Sequence, residues 1–116
     1  MTHEEFTVPD LQNFAEAIGA EPTETQEGIY EIDLTEVGSE PIRFSFSPAG
    51  RSVRMVWKVG DDVRVDIYRE GATRLWIDEA NGETSLCTEF SMGSVRGVLR
   101  LRVFPSAALR DELLFH

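Results

Sequence analysis

Covalent chemistry in this chain would have to come from very few side chains. Cys87 is the single cysteine, and as a nucleophile it needs a base, normally histidine, within hydrogen-bonding reach. The two histidines, His3 and His116, stand near or at opposite ends of the sequence, where pairing would require a terminus to fold back. Cys87 therefore reads as a half-buried strand residue packing as a small hydrophobe. The histidines and acids show no metal-ligand spacing, so no metal is expected. Paired carboxylates can share acid and base work, but the adjacent Asp61 and Asp62 belong with the turn at Gly60. HExxH, P-loop, GxGxxG and GxSxG patterns are missing. No catalytic residue and no cofactor is assigned, and catalysis is not the expected role.

Recognition chemistry is better represented. With hairpins that set Trp57 opposite Val65 and Ile67 opposite Leu75, the polar face carries Val56, Asp66 and Trp76 in one cross-strand row and Arg54, Tyr68 and Arg74 in the next. Continuing through Asn81-Gly82 brings Cys87 beside Trp76 and Glu89 beside Arg74. The expected patch is Arg54, Asp66, Tyr68, Arg74, Trp76 and Asp78. Trp, Tyr and Arg dominate binding hot spots. The same residues also suit a plain solvated face, where each aromatic or opposite-charge pair contributes ~0.2–1 kcal/mol to the sheet. Trp76 argues for a site, because a large indole on a polar face calls for a cover, from a partner or from the chain itself at Phe6 or Phe115. On the opposite face Phe44, Phe46, Met55, Trp57 and Phe90 form either the core or a cup for an apolar ligand.

Two functions follow. The first is a non-enzymatic interaction module that docks a protein partner, or a second copy, through the face around Trp76 and Tyr68. An inhibitor or immunity-type role against a basic protein is one form of it, although no motif specifies that form. The alternative is a carrier or sensor of a small apolar ligand held in the concave face of the sheet.

Charge narrows the partners. The formal net charge is −10, and residues 1 to 50 hold eleven acids against one base, Arg43, whereas residues 51 to 116 hold ten of each. The whole excess thus lies in the first half. Such a field repels phosphate backbones, so nucleic acid is not an expected partner. It keeps a protein soluble, and it also attracts a basic protein. No apolar run approaches the roughly 20 residues that cross a bilayer, so no membrane partner is expected. A lone cysteine and an N-terminus without a basic stretch and apolar run point to the cytoplasm.

The elements that must position these residues are announced by glycine. Gly28, Gly38, Gly50, Gly60, Gly71, Gly82 and Gly93 recur every 10 to 12 residues, the turn spacing of an antiparallel β layer. Between them apolar and polar residues alternate, as in Ile42, Phe44, Phe46 and Leu99, Leu101, Val103. Gly60-Asp61, Glu70-Gly71-Ala72 and Asn81-Gly82 read as hairpin turns, and Gly97 suggests a bulge or bend. Thr7 reads as the N-cap of a helix over about 8–18, with Leu11, Phe14, Ala15 and Ile18 on one stripe and Gly19 ending it. Residues 20 to 27 read as a loop, and Ser106 as the cap of a short helix over about 107–114 with Leu109 and Leu113 inward. With 116 residues, 41% hydrophobic and 28% charged, the expectation is one domain, 1–116, of the α+β class. It is a strongly curved antiparallel meander sheet or partial barrel of about seven strands over about 28–104, with the N-terminal helix on its apolar face and the second helix at the C-terminal end.

Overall fold

Nearly every alternating segment becomes a strand, and the strands divide into two layers. The computed structural model describes residues 5–38 and 40–115. The elements run α1 (Leu11–Ile18), β1 (Thr23–Gln26), β2 (Ile29–Asp33), a single helical turn α2 (Thr35–Gly38), β3 (Ile42–Ser47), β4 (Ser52–Val59), β5 (Asp62–Glu70), β6 (Ala72–Ala80), β7 (Glu83–Met92), β8 (Val95–Phe104) and β9 (Ala108–Phe115). Strands β1 to β5 form one antiparallel sheet and β6 to β9 another, each in sequence order. The expected single curved sheet is thus two sheets, neither of them closed.

The corner between them is Gly71. Its φ of +84° is a backbone conformation that side chains disfavour, and a Cβ there would meet Met92 Cγ at 2.5 Å. Instead of returning along β5 as a hairpin, the chain passes to the other layer. The Ala72 N–H donates to Arg51 O at 2.9 Å, Arg51 Nε donates to Ala72 O at 3.2 Å, and the Ser91 N–H donates to Gly71 O at 3.0 Å. The expected Ile67–Leu75 pairing is therefore not made. The registers within each layer are as read from the sequence: Trp57 opposes Val65, Arg54 opposes Tyr68 and Val56 opposes Asp66. Through the Asn81-Gly82 turn, both residues at positive φ, Trp76 opposes Cys87 and Arg74 opposes Glu89.

The C-terminal segment is corrected from helix to strand. Ala108–Phe115 lies antiparallel along β8, with Leu109 opposite Leu101 and Leu113 opposite Gly97. Leu109 and Leu113, four apart, satisfy the helical and the strand period alike in so short a segment, and the open edge of β8 decides between them. Ser106 caps no helix; its carbonyl accepts from Arg102 Nε at 3.0 Å. Gly97 marks close approach rather than a bulge, since a Cβ there would lie 2.9 Å from Leu113 Cδ2. Part of the expected loop, Thr23–Gln26, is an exposed edge strand. Asp10, not Thr7, is the N-cap of α1, and Gly19 ends that helix in the left-handed conformation. Thr7 instead joins the edge of β6: its N–H donates to Thr73 O at 3.1 Å, and the Leu75 N–H donates to Thr7 O at 2.8 Å.

The core fills the space between the two inner faces, and α1 plugs it as expected. Phe14, fully buried, stacks on Phe46 at 5.6 Å, and Phe46 stacks in turn on Tyr30 at 5.6 Å. Ile32, Phe44, Val53 and Met55 from the first sheet meet Leu75, Leu86, Phe90, Leu99 and Leu101 from the second in one hydrophobic cluster. Across it, Arg69 on β5 grips Asp111 on β9 through two hydrogen bonds of 2.8 Å each, with its guanidinium 5.1 Å from the centre of the Phe90 ring. This bidentate geometry is the strong form of a charge-assisted bond. Arg69 holds the Asp111 carboxyl below its ordinary value.

Two stability predictions follow from this interior. Arg69→Ala should lower the unfolding free energy at neutral pH by about 1–3 kcal/mol, between the values for exposed and buried pairs. Because the folded Asp111 is the more acidic, the pair stabilises fully above the ordinary carboxyl value of 3.8 and loses its effect as pH falls through the lowered one. The gap between wild type and variant in urea titrations should therefore narrow as pH is lowered below 3.8. Thr88 is fully buried on the inner face, and its hydroxyl has no hydrogen-bond partner among the described residues. Thr88→Val, which removes that group while keeping the shape, should raise stability by about 1 kcal/mol, read as a higher melting temperature.

Candidate functional site

The six residues expected to form one recognition patch occupy two. On β4 and β5, Arg54, Asp66 and Tyr68 alternate with the inward Val53, Met55 and Ile67, and so lie on the outer face of the first sheet. Arg54 Nε donates to Asp66 Oδ1 at 3.0 Å and Nη2 to Oδ2 at 2.8 Å. The guanidinium holds the Asp66 carboxyl below its ordinary value by hydrogen bonding. Tyr68, one register step along, is 61% exposed. Depressions of about 310 Å³ and 610 Å³ share Arg54, Ser45 and Glu31 in their walls; the smaller adds Tyr68 and the larger Asp66. The face offers a projecting ring, a guanidinium oriented by its carboxylate, and relief on both sides.

Arg74, Trp76 and Asp78 lie together on β6, on the outer face of the second sheet. The Arg74 guanidinium sits 4.8 Å from the centre of the Trp76 ring, a cation–π contact. Asp78 Oδ2 accepts from Arg100 Nη1 at 2.8 Å. Trp76 is half-buried and borders a groove of about 420 Å³ with Pro9, Asn13, Glu16, Ala17 and Glu79. The cover expected for the indole thus comes in part from Arg74 and from the chain leading into α1. Phe6 is buried in the core, and Phe115 is 77% exposed. The corner at Gly71 separates the two patches, so Tyr68 and Trp76 do not share a face.

The set read as core or cup is packed as core. Phe44, Phe46, Met55 and Phe90 are buried, and Trp57 is half-buried with its indole N–H donating to Glu40 Oε2 at 3.3 Å. Cys87 is fully buried, in the cross-strand row between Trp76 and Arg100. Burial pushes its thiol up, with the Arg100 charge opposing. His3 and His116 lie outside the described residues. Among the described residues no group of three or more His, Cys, Asp or Glu side chains is placed to hold a metal ion, and no helix is long and apolar enough to cross a membrane.

The described acids of the first half reach solvent. Asp10, Glu16, Glu21, Glu24, Glu27, Asp33 and Glu36 are all exposed. Asp33 Oδ1 accepts from the Thr35 N–H at 3.0 Å as well as from its hydroxyl, which keeps Asp33 strongly acidic. Sequence reasoning missed Glu31 and Arg43, which approach to 3.8 Å and help line the larger depression on the Arg54 face. Their signal was the alternation Glu31, Asp33 and Arg43, Ser45 on strands already recognised.

The sequence matches no family model and no curated protein. The fold does have a match among solved structures, a chain of a contact-dependent growth inhibition toxin–immunity protein complex from Klebsiella pneumoniae 342. The TM-score is 0.81 at 12% identity, over 92% of this chain and 96% of that chain. The two share an architecture along nearly their whole lengths.

The burial of Cys87 sets a chemical expectation. In native protein the thiol should react with Ellman's reagent at pH 8 at least a hundredfold more slowly than in guanidinium, where one equivalent should appear promptly. Rapid labelling of the folded chain would show that the row from Trp76 to Arg100 opens.

Proposed function

We propose that this protein is a non-enzymatic binding module that docks a protein partner, in the form of an immunity-type inhibitor of a basic protein. The observation that carries the reading is the likeness of fold, across nearly all of both chains, to a component of a toxin–immunity complex. Two features of this chain support it independently of that likeness. All of the net charge belongs to the first half, whose described acids are largely exposed. Such a field steers a basic partner and speeds association. The Tyr68 and Arg54 pair supplies the contact: Tyr buries a large area at low entropic cost, and Arg54 is already oriented by Asp66. Trp76, half-buried under Arg74, has less surface to offer.

Capture from a lysate of the native host tests the proposal. Wild-type protein should retain a basic protein, with an association rate that falls steeply as salt is raised. Tyr68→Ser should weaken that affinity roughly 30-fold, as for a hot-spot residue, without changing the melting temperature, because the ring is 61% exposed. Trp76→Ser should weaken it less. An acidic partner, or binding indifferent to Tyr68, would overturn the reading.

A further inference from the structure

The docking role leaves one edge of the molecule unexplained. β9 pairs with β8 on one side only, and it ends in Leu113, Leu114 and Phe115, which are 51%, 61% and 77% exposed. An edge strand with exposed apolar side chains is a template for another strand. Its middle is charged, and the charges are ordered. Arg110 and Glu112 share the outer face, with Nε 2.7 Å from Oε1. Asp111, on the inner face between them, is already matched by Arg69.

We propose that β9 pairs antiparallel with β9 of a second copy. The two Asp111 meet at the dyad, and Arg110 of each chain stands opposite Glu112 of the other. The two four-stranded sheets then become one of eight, through a self-complementary two-fold interface. The charge order selects this register. Leu109 then faces Leu113 on the inner side and Ala108 faces Leu114 on the outer. Moving the dyad to Glu112 sets the two Glu112 opposite each other, and moving it to Arg110 does the same for the two Arg110. Like charges directly opposite destabilise a sheet. A dyad between two residues would set an inner position of one strand opposite an outer position of the other, so the two inner faces would no longer lie on one side of the joined sheet. At the chosen dyad each Asp111 already accepts two hydrogen bonds from its own Arg69, so the pair meets neutralised.

Light scattering during size-exclusion chromatography of the full chain, at a series of concentrations, tests this. Wild type should reach twice its 13.1 kDa. Arg110→Glu alone and Glu112→Arg alone should each weaken self-association roughly tenfold or more, by setting like charges opposite twice over. The double variant R110E/E112R should recover it. Both positions are solvent-exposed, so circular dichroism should stay unchanged. Tyr68→Ser should remain dimeric while binding the basic partner more weakly, which separates this interface from the docking face. A monomer at millimolar concentration, a dimer indifferent to either reversal, no recovery in the double variant, or a dimer lost with Tyr68→Ser would overturn the proposal.

Discussion

Each sheet of this protein has one apolar face, and neither face has anything large enough to cover it except the other. The helix α1 supplies Phe14 and Ile18, which plug part of the space, but eight residues cannot shield nine strands. The corner at Gly71 resolves this by laying β6 to β9 over β1 to β5. Hydrophobic burial is the dominant favourable term in folding and is not directional, so the direction has to be imposed by the backbone. A positive φ, the contact with Met92 and the bonds that join Ala72 to Arg51 impose it. The grip of Arg69 on Asp111 then ties β5 to β9 across the core.

That layering also decides what each outer face can do. Once the inner faces are sealed, recognition falls to the polar faces and to the free edges, and the two faces have different characters. The first sheet presents Tyr68 and an oriented Arg54 beside open depressions. The second is knitted closed, with Trp76 under Arg74, Asp78 bonded to Arg100 and Cys87 sealed between neighbours. The edges differ as well. β6 is partly occupied by the segment at Thr7, whereas β9 is left with charges in an order that complements itself.

Much of this was legible in the chain. Alternation placed β2 through β8, and the Arg54–Tyr68 and Trp76–Cys87 registers followed from turn chemistry and strand period alone. Of the helix stripe, Phe14 and Ile18 were legible for the same reason, a regular period, whereas Leu11 on that stripe stays exposed. Misreadings fell where the local pattern supports two answers. Leu109 and Leu113 fit either period, Gly97 fits a bulge or a close approach, and Glu70-Gly71-Ala72 fits a hairpin or a corner. The residues expected to form one patch fall on two sheets, Arg54, Asp66 and Tyr68 on one and Arg74, Trp76 and Asp78 on the other, because their unity depended on that single turn.

The amino-acid order by itself determined which residues alternate, where the chain turns, and that all the net charge belongs to the first half. These are properties of neighbours along the backbone, governed by steric preference and period. Only the tertiary structure decided that Gly71 separates two layers, that residues 108–115 extend a sheet rather than coil, and that Tyr68 and Trp76 look away from each other. Those outcomes turn on which distant surfaces best exclude water from one another, and that competition is settled among all the strands at once.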